Sequence, residues 1–218
     1  MNYGASDSPP RVLITGAGSG IGLACAEMLA ACGAELILTD HDGTALTRVA
    51  DRLGAFSRFC DAIADNSVAV FSAEIGGAYE SIDVLINAAG QGYVRSLAMV
   101  RMTRALLPLL RRGHGRRLVV NIAPVGDQPS NVFPYASSNG AFERLSEALA
   151  EQTRGTAIDV VSLAPAVKRA RPRSENCVSQ LHDVDRVDEW ITAARILDLI
   201  TAVRPNWKHR APPVDRRA

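Results

Sequence analysis

Thr15-Gly16-Ala17-Gly18-Ser19-Gly20-Ile21-Gly22 decides how this chain folds. It follows a short β-type run, Arg11-Val12-Leu13-Ile14, and opens a helical pattern through Leu23, Ala24, Ala26, Met28, Leu29 and Ala30. Strand, glycine turn and helix N-terminus therefore come in sequence. Such a turn lets the main chain approach a pyrophosphate closely, while the free N–H groups and the positive end of the helix dipole face its charge. Gly16, Gly18, Ser19, Gly20, Ile21 and Gly22 are expected to form a dinucleotide cradle. A plain strand-to-helix turn is the other reading of so short a pattern.

Gly33 stops the first helix, and Glu35-Leu36-Ile37-Leu38-Thr39 reads as a second strand ending at Asp40. An acidic residue about twenty positions after the glycine turn can accept hydrogen bonds from an adenosine ribose and repel a 2′-phosphate, which favours NAD over NADP. Asp40 also suits the N-cap of the helical segment Gly43 to Leu53. Ser19 leaves the glycine turn without a cation for an extra phosphate. Phe56 to Cys60 reads as a third strand with Asp61 at its end, 66–79 as a helix, and Ile82 to Ile86 as a fourth, buried strand. Regular alternation implies parallel strands, right-handed crossovers and helices on both faces.

A chain of 218 residues, 47% hydrophobic and 22% charged, can bury one substantial core. Its boundaries read as a disordered N-terminus over 1–10, one domain over 11–203 and a basic, proline-containing tail over 204–218. A formal net charge of +1 gives no overall attraction to nucleic acid or anionic membrane. The first ten residues lack a cationic start and an apolar core, and Arg101 and Arg104 interrupt the apolar stretch from Leu97 to Leu110, so neither a signal peptide nor a membrane span is read. Cys25, Cys32, Cys60 and Cys177 form no CxxC pair and no metal-ligand spacing. Reduced thiols, a cytoplasmic location and no metal are expected.

Several further segments, taken together with the glycine turn, resemble the short-chain dehydrogenase/reductase family. Asn87-Ala88-Ala89-Gly90 is similar to its NNAG segment, Arg104 to Leu110 to the end of its fourth helix, Leu118 to Ile122 to its fifth strand, and Pro134-Tyr135-Ala136-Ser137-Ser138 to the start of its catalytic helix. The resemblance spans about residues 11–166. It implies that Asp61 contacts adenine, that Asn87, Ala88, Ala89 and Gly90 line the cofactor, and that Pro165, with Ala166, forms the turn beside the nicotinamide. It also implies a catalytic Tyr135, a Lys four residues later, a Ser after the fifth strand and an Asn on the fourth helix.

Here the chain departs from the pattern. Asn139 stands where the Lys belongs, Pro124 or Ala123 replaces the Ser, and no Asn lies between Asn87 and Asn121; Arg95 falls near the place of the relay Asn. The loss has a size. A cation roughly 4 Å from a phenolate, at an effective dielectric of about 20, is worth on the order of 4 kcal/mol, or about three pKa units. A phenol without that help is a poor base at neutral pH, although it can still donate a proton. Ser130, Arg95 and Lys168 are the candidates for re-equipping the site. Ala166 and Ala170 replace residues expected beside the nicotinamide. Only four residues separate Gly90 from Arg95, so the loop that would wall the pocket is short and the pocket is expected to be open.

Past residue 174 the resemblance fades. Val187 to Val203 reads as one amphipathic helix with Trp190, Ile191, Ala194, Leu197 and Ile200 on a face. No closing strand follows it. The basic segments 168–173 and 204–217 read as solvated, with contact to an anionic substrate as the alternative for the first, and lack the aromatics of a nucleic-acid site. Phe142, Leu145 and Leu149 form a stripe on the fifth helix, and with Met99, Met102 and Leu106 they suggest a homodimer through the fourth and fifth helices. The whole therefore reads as a Rossmann-like, doubly wound α/β fold of about six strands in the order 3-2-1-4-5-6. The expected function is an NAD(H)-binding oxidoreductase acting on a small carbonyl or alcohol substrate. The alternatives are a catalytically silent relative that binds NAD or a partner, and a sensor that reads the bound cofactor.

Overall fold

The computed structural model describes residues 8–90, 92–123, 133–168 and 186–207, and all their side chains except those of 92–93, 133–139, 167–168 and 186–187. Alternation gives the architecture. β1 (Arg11–Thr15) leads to α1 (Gly20–Ala31), β2 (Glu35–Thr39) to α2 (Gly43–Leu53), β3 (Phe56–Ser57) to α3 (Asp65–Ala78), β4 (Val84–Asn87) to α4 (Gly92–Arg112), and β5 (Arg117–Ile122) to α5 (Phe133–Gln152). β6 (Ile158–Leu163), β7 (Ala166–Lys168), β8 (Arg186–Asp188) and α6 (Glu189–Val203) follow. Six strands form one parallel sheet in the order β3-β2-β1-β4-β5-β6, as the sequence leads one to expect.

Helices cover both faces, which is why the central strands are apolar runs rather than alternating ones. Val12, Leu13 and Ile14 are all fully buried but face opposite ways. Val12 and Ile14 pack with α1, α2 and α6, whereas Leu13 joins Phe71 and Ile75 of α3 and Leu106 and Leu110 of α4. A third cluster, Met99, Phe142 and Leu149, locks α4 to α5.

Several local expectations are corrected. β3 is two residues long, although the main chain stays alongside β2 as far as Cys60, whose N–H donates to the Asp40 carbonyl at 3.2 Å. Asp42, not Asp40, caps α2: its carboxylate accepts from the N–H groups of Thr44 and Ala45. α6 starts at Glu189, because 186–188 are drawn into an antiparallel ribbon with β7, and Asp188 caps the helix. The shift rotates the expected face: Thr192, Ala193, Ile196, Leu197 and Ile200 are buried, while Ile191 is exposed. Met99, Met102 and Leu106 lie inside the protomer, so they are spent on its own core. Beyond α6, Arg204 pairs with Asp83 at 3.0 Å and Trp207 enters the core, so the fold continues past Val203.

One feature of the register positions the site. Thr39, Thr15, Asn87, Asn121 and Ser162 lie side by side on consecutive strands, forming a polar row across the C-terminal end of the sheet.

Candidate functional site

Strand order reverses between β1 and β4, and a ligand crevice in such a sheet opens outside the carboxyl ends of the strands at that point. A groove of about 640 Å³ lies there, walled by the glycine turn, by Asp40 and His41 after β2, by Cys60 and Asp61 after β3, and by Ala88, Ala89 and Gly90 after β4. Val94, Arg95, Ala98 and Met102 of α4 complete it.

The turn is held from behind. The Ala17 N–H donates to the Thr39 carbonyl at 3.1 Å and the Gly18 N–H to Asp40 Oδ2 at 2.8 Å, which binds the glycine stretch to β2. Thr15 Oγ1 accepts from the N–H groups of Ala88 and Ala89, both at 3.1 Å, which binds it to β4. Close approach explains the glycines. A Cβ on Gly16 would meet the Ala89 main chain at 2.9 Å, and one on Gly22 would stand 2.0 Å from the Gly16 carbonyl oxygen. Ser19 is the N-cap residue of α1 by position, but its side chain makes no cap hydrogen bond.

Asp40 is 5% exposed, with Oδ1 accepting from the Asp42 N–H at 2.9 Å. Asp61 Oδ1 accepts from the Ile63 N–H at 3.1 Å, and the Asp61 N–H donates to Ser67 Oγ at 2.9 Å. Cys60 sits between the two acids. Burial pushes its thiol above the usual range, the Ser67 hydroxyl at 3.8 Å opposes the rise, and the Asp61 charge adds to it.

The sequence-derived residues separate into three groups. Gly16, Ser19, Gly20, Ile21, Asp40, Asp61, Ala88, Ala89 and Gly90 come together on the groove wall, with Gly18 and Gly22 packed immediately behind. Asn87 lies beneath it, 3% exposed, donating from Nδ2 to Thr103 Oγ1 and Asn121 Oδ1 at 2.9 Å each. Asn121 continues the chain to Ser146 Oγ at 2.8 Å, and Ser162 donates to the same oxygen at 2.6 Å. Pro165 is buried beyond β6, away from the wall. The backbone sets Tyr135 and Asn139 one turn apart at the start of α5, but their side chains, together with Pro124, Ser130 and the basic segment after Lys168, lie outside the described residues.

Arg95 is the re-equipment candidate that the structure does bring in. Because α4 starts at Gly92, its first turns reach over the sheet, and the half-buried guanidinium donates from Nε to the Gly90 carbonyl at 3.1 Å and from Nη1 to the Ile122 carbonyl at 3.2 Å. It ties β4 to β5 at the end of the groove opposite Asp40 and Asp61. The sequence pattern does not mark His41 and Cys60 as groove residues and gives Thr15 no role of its own beyond heading the glycine turn. For Thr15 the signal was available: a polar residue closing an otherwise apolar strand directly before the glycines.

Comparisons with known proteins agree with this fold. A family model described as short chain dehydrogenase matches residues 10–176. A galactitol 2-dehydrogenase (L-tagatose-forming) from Cereibacter sphaeroides is 32% identical over 174 residues, covering 70% of this chain and 68% of that protein. A short-chain dehydrogenase from Streptomyces avermitilis superposes with a TM-score of 0.72 at 27% identity, over 87% of this chain and 83% of that one. A 3-ketoacyl-(acyl-carrier-protein) reductase from Brucella melitensis, complexed with NADH, gives a TM-score of 0.63 at 28% identity, over 73% and 76% of the two chains.

Proposed function

The chain belongs to the short-chain dehydrogenase family and is an oxidoreductase, and from that premise we propose that it binds NAD(H) in the groove and interconverts a small carbonyl compound and its alcohol. The observation that carries the reading is the cradle itself: a glycine turn pressed so closely on β4 that a Cβ on Gly16 would meet main chain, with Asp40 at the end of β2. Thr39 Oγ1, a groove-lining hydroxyl buried without a hydrogen-bond partner among the described residues, fits an incoming polar ligand.

In this reading the N–H groups from Ser19 to Gly22, at the α1 N-terminus, hold the pyrophosphate, those of Ala17 and Gly18 being bonded to β2 and Asp40, while Asp40 holds the adenosine ribose, Asp61 the adenine, and Ala88 to Gly90 the nicotinamide half. When bound, the nicotinamide supplies the hydride acceptor or donor. Tyr135 hands its phenolic proton to the substrate oxygen in reduction and takes it back in oxidation. Arg95 keeps the ends of β4 and β5 together beneath the reacting groups.

Calorimetric titration with NADH, followed by assay of ketoses, hexitols and β-ketoacyl esters against a Tyr135→Phe variant, tests the reading. Binding with turnover that falls about 10²-fold or more in Tyr135→Phe supports it. Binding without turnover moves the weight to a catalytically silent, NAD-holding protein. We further propose a homodimer through the outer face of α4 and α5, where Leu97 and Leu145 remain exposed. Light scattering of the wild type and of Leu97→Glu tests that contact.

A further inference from the structure

α1 and α6 begin side by side. α1 leaves the glycine turn at the C-terminal end of the sheet, and α6 starts at the same end, where β8 pairs with β7 just beyond β6, before running down to Arg204, which pairs with Asp83 ahead of β4. Ala24, Cys25 and Met28 of α1 share one buried cluster with Ala193, Ile196 and Leu197 of α6. Their positive ends therefore come together. The two ends are served differently. α6 has Asp188 as its cap, with Oδ1 accepting from the Ile191 N–H at 2.9 Å, and Glu189 in its first turn. α1 has neither, because Ser19 makes no side-chain cap hydrogen bond and the first turn holds no acid.

An acid reaches α1 from α6 instead. Gly20, the first residue of α1, lines the groove at φ +54°, and a Cβ placed on it would stand 3.6 Å from Glu189 Oε1. Glu189 is exposed and makes no hydrogen bond or ion pair among the described residues, so the charge of the two helix ends is what draws its carboxylate there. A pyrophosphate held by the N–H groups from Ser19 to Gly22 needs the same end of α1. Two anions at one helix end repel each other, and the exposed side chain is the one that can swing away. Binding then exchanges one anion for another.

Resting on the dinucleotide reading above, we propose that Glu189 is an affinity-determining residue that competes with the cofactor pyrophosphate for the N-terminus of α1, so that its carboxylate must be displaced when the dinucleotide binds. The penalty falls on any ligand that brings an anion to this turn, whatever the rest of the ligand carries. It depends on charge, so it is screened by salt and removed by an uncharged side chain of the same shape. The β7–β8 ribbon has a part in it, since the ribbon sets where α6 starts and hence brings Glu189 against Gly20.

The test is calorimetric titration of NADH, and of ADP-ribose, which shares the pyrophosphate but lacks the nicotinamide, into the wild type, Glu189→Gln and Glu80→Gln, at ionic strengths of about 0.02 M and about 0.5 M. Glu80→Gln makes the same change of net charge at an exposed position between α3 and β4, at the opposite end of the sheet. Glu189→Gln is expected to bind both ligands about threefold or more tighter than the wild type at the lower ionic strength, with the gain shrinking at the higher one, while Glu80→Gln follows the wild type. Equal affinities of the wild type and Glu189→Gln overturn the proposal and leave the dinucleotide reading intact. Weaker binding by Glu189→Gln also overturns it, the carboxylate then accepting from a ligand hydroxyl, and so does a gain confined to NADH, which would put the repulsion at the nicotinamide half. Absence of binding by all three proteins removes the cofactor reading, and this proposal with it.

Discussion

The main-chain N–H of Gly18 donates to Asp40 Oδ2 at 2.8 Å, and a Cβ on Gly18 would stand 3.0 Å from that same oxygen. The acid at the end of β2 thus props the glycine turn as well as facing the groove. Asp40→Ala removes both functions and leaves a buried donor without its acceptor, at a cost of about 1–3 kcal/mol. Asp40→Asn keeps an acceptor oxygen and removes only the charge. The alanine variant is therefore expected to lose both stability in urea and NAD affinity in calorimetry, and the asparagine variant chiefly affinity. Equal unfolding midpoints for the two would show that the turn does not lean on this carboxylate.

Two glycines on either end of α1 separate close approach from backbone conformation. Gly22→Ala puts a methyl 2.0 Å from the Gly16 oxygen, so the turn itself must move, and dinucleotide affinity is expected to fall by about tenfold or more. Gly33, at φ +88°, has nothing within 4 Å of a would-be Cβ. Gly33→Ala pays only for the left-handed conformation, about 1–2 kcal/mol, with binding unchanged. Parallel denaturation and titration of the pair distinguish the two costs.

What the sequence discloses follows from how locally each feature is encoded. A strand buried on both faces writes itself as Val12-Leu13-Ile14 or Leu36-Ile37-Leu38, and a tight turn writes itself in glycine, so the sheet order and the cradle are legible. Two acids two residues apart are not: Asp40 and Asp42 both suit an N-cap, and only the reach of Asp40 to Gly18 settles which one caps α2. The ribbon of β7 with β8 joins three-residue pieces far apart in the chain, too short for any periodicity, and it displaced the start of α6 and its buried face. The polar row from Thr39 to Ser162 exists only once five strands are in register, and Asn121 therefore carried no visible role beforehand.

That row yields a stability prediction. Asn121 is fully buried, accepts from Asn87 Nδ2 and donates to Ser146 Oγ, joining β4, β5 and α5 through one amide. Asn121→Leu, of similar volume, removes one hydrogen bond from each neighbour, Asn87 keeping Thr103 and Ser146 keeping Ser162. The expected loss is about 1–3 kcal/mol in urea unfolding, because one Asn87 N–H loses its acceptor while Ser146 keeps its bond from Ser162. Asn121→Leu combined with Ser146→Ala should cost less than the sum of the two single changes, because both remove the same Asn121–Ser146 hydrogen bond. Strict additivity in that cycle would mean the two side chains act independently.

The buried thiols give the fold an alkaline limit. Burial pushes the Cys25 thiol from its ordinary 9.0 to about 12, and raises Cys32 and Cys60 as well. A group whose pKa is raised by folding contributes its full stability below the unfolded-state value and loses it as pH climbs toward the folded one. Stability should hold up to about pH 9 and then decline toward pH 12, as the unfolded chain gains thiolates that the folded core does not allow. Cys25→Ala removes the largest of these shifts. Its unfolding free energy is expected to be lower than that of the wild type at neutral pH, from the lost packing, yet to decline less steeply above pH 9. Urea titrations of both proteins across that window measure the two slopes. Parallel slopes would mean that the alkaline decline comes from other groups, among them Tyr79, whose hydroxyl is also raised by burial and by the Glu35 charge.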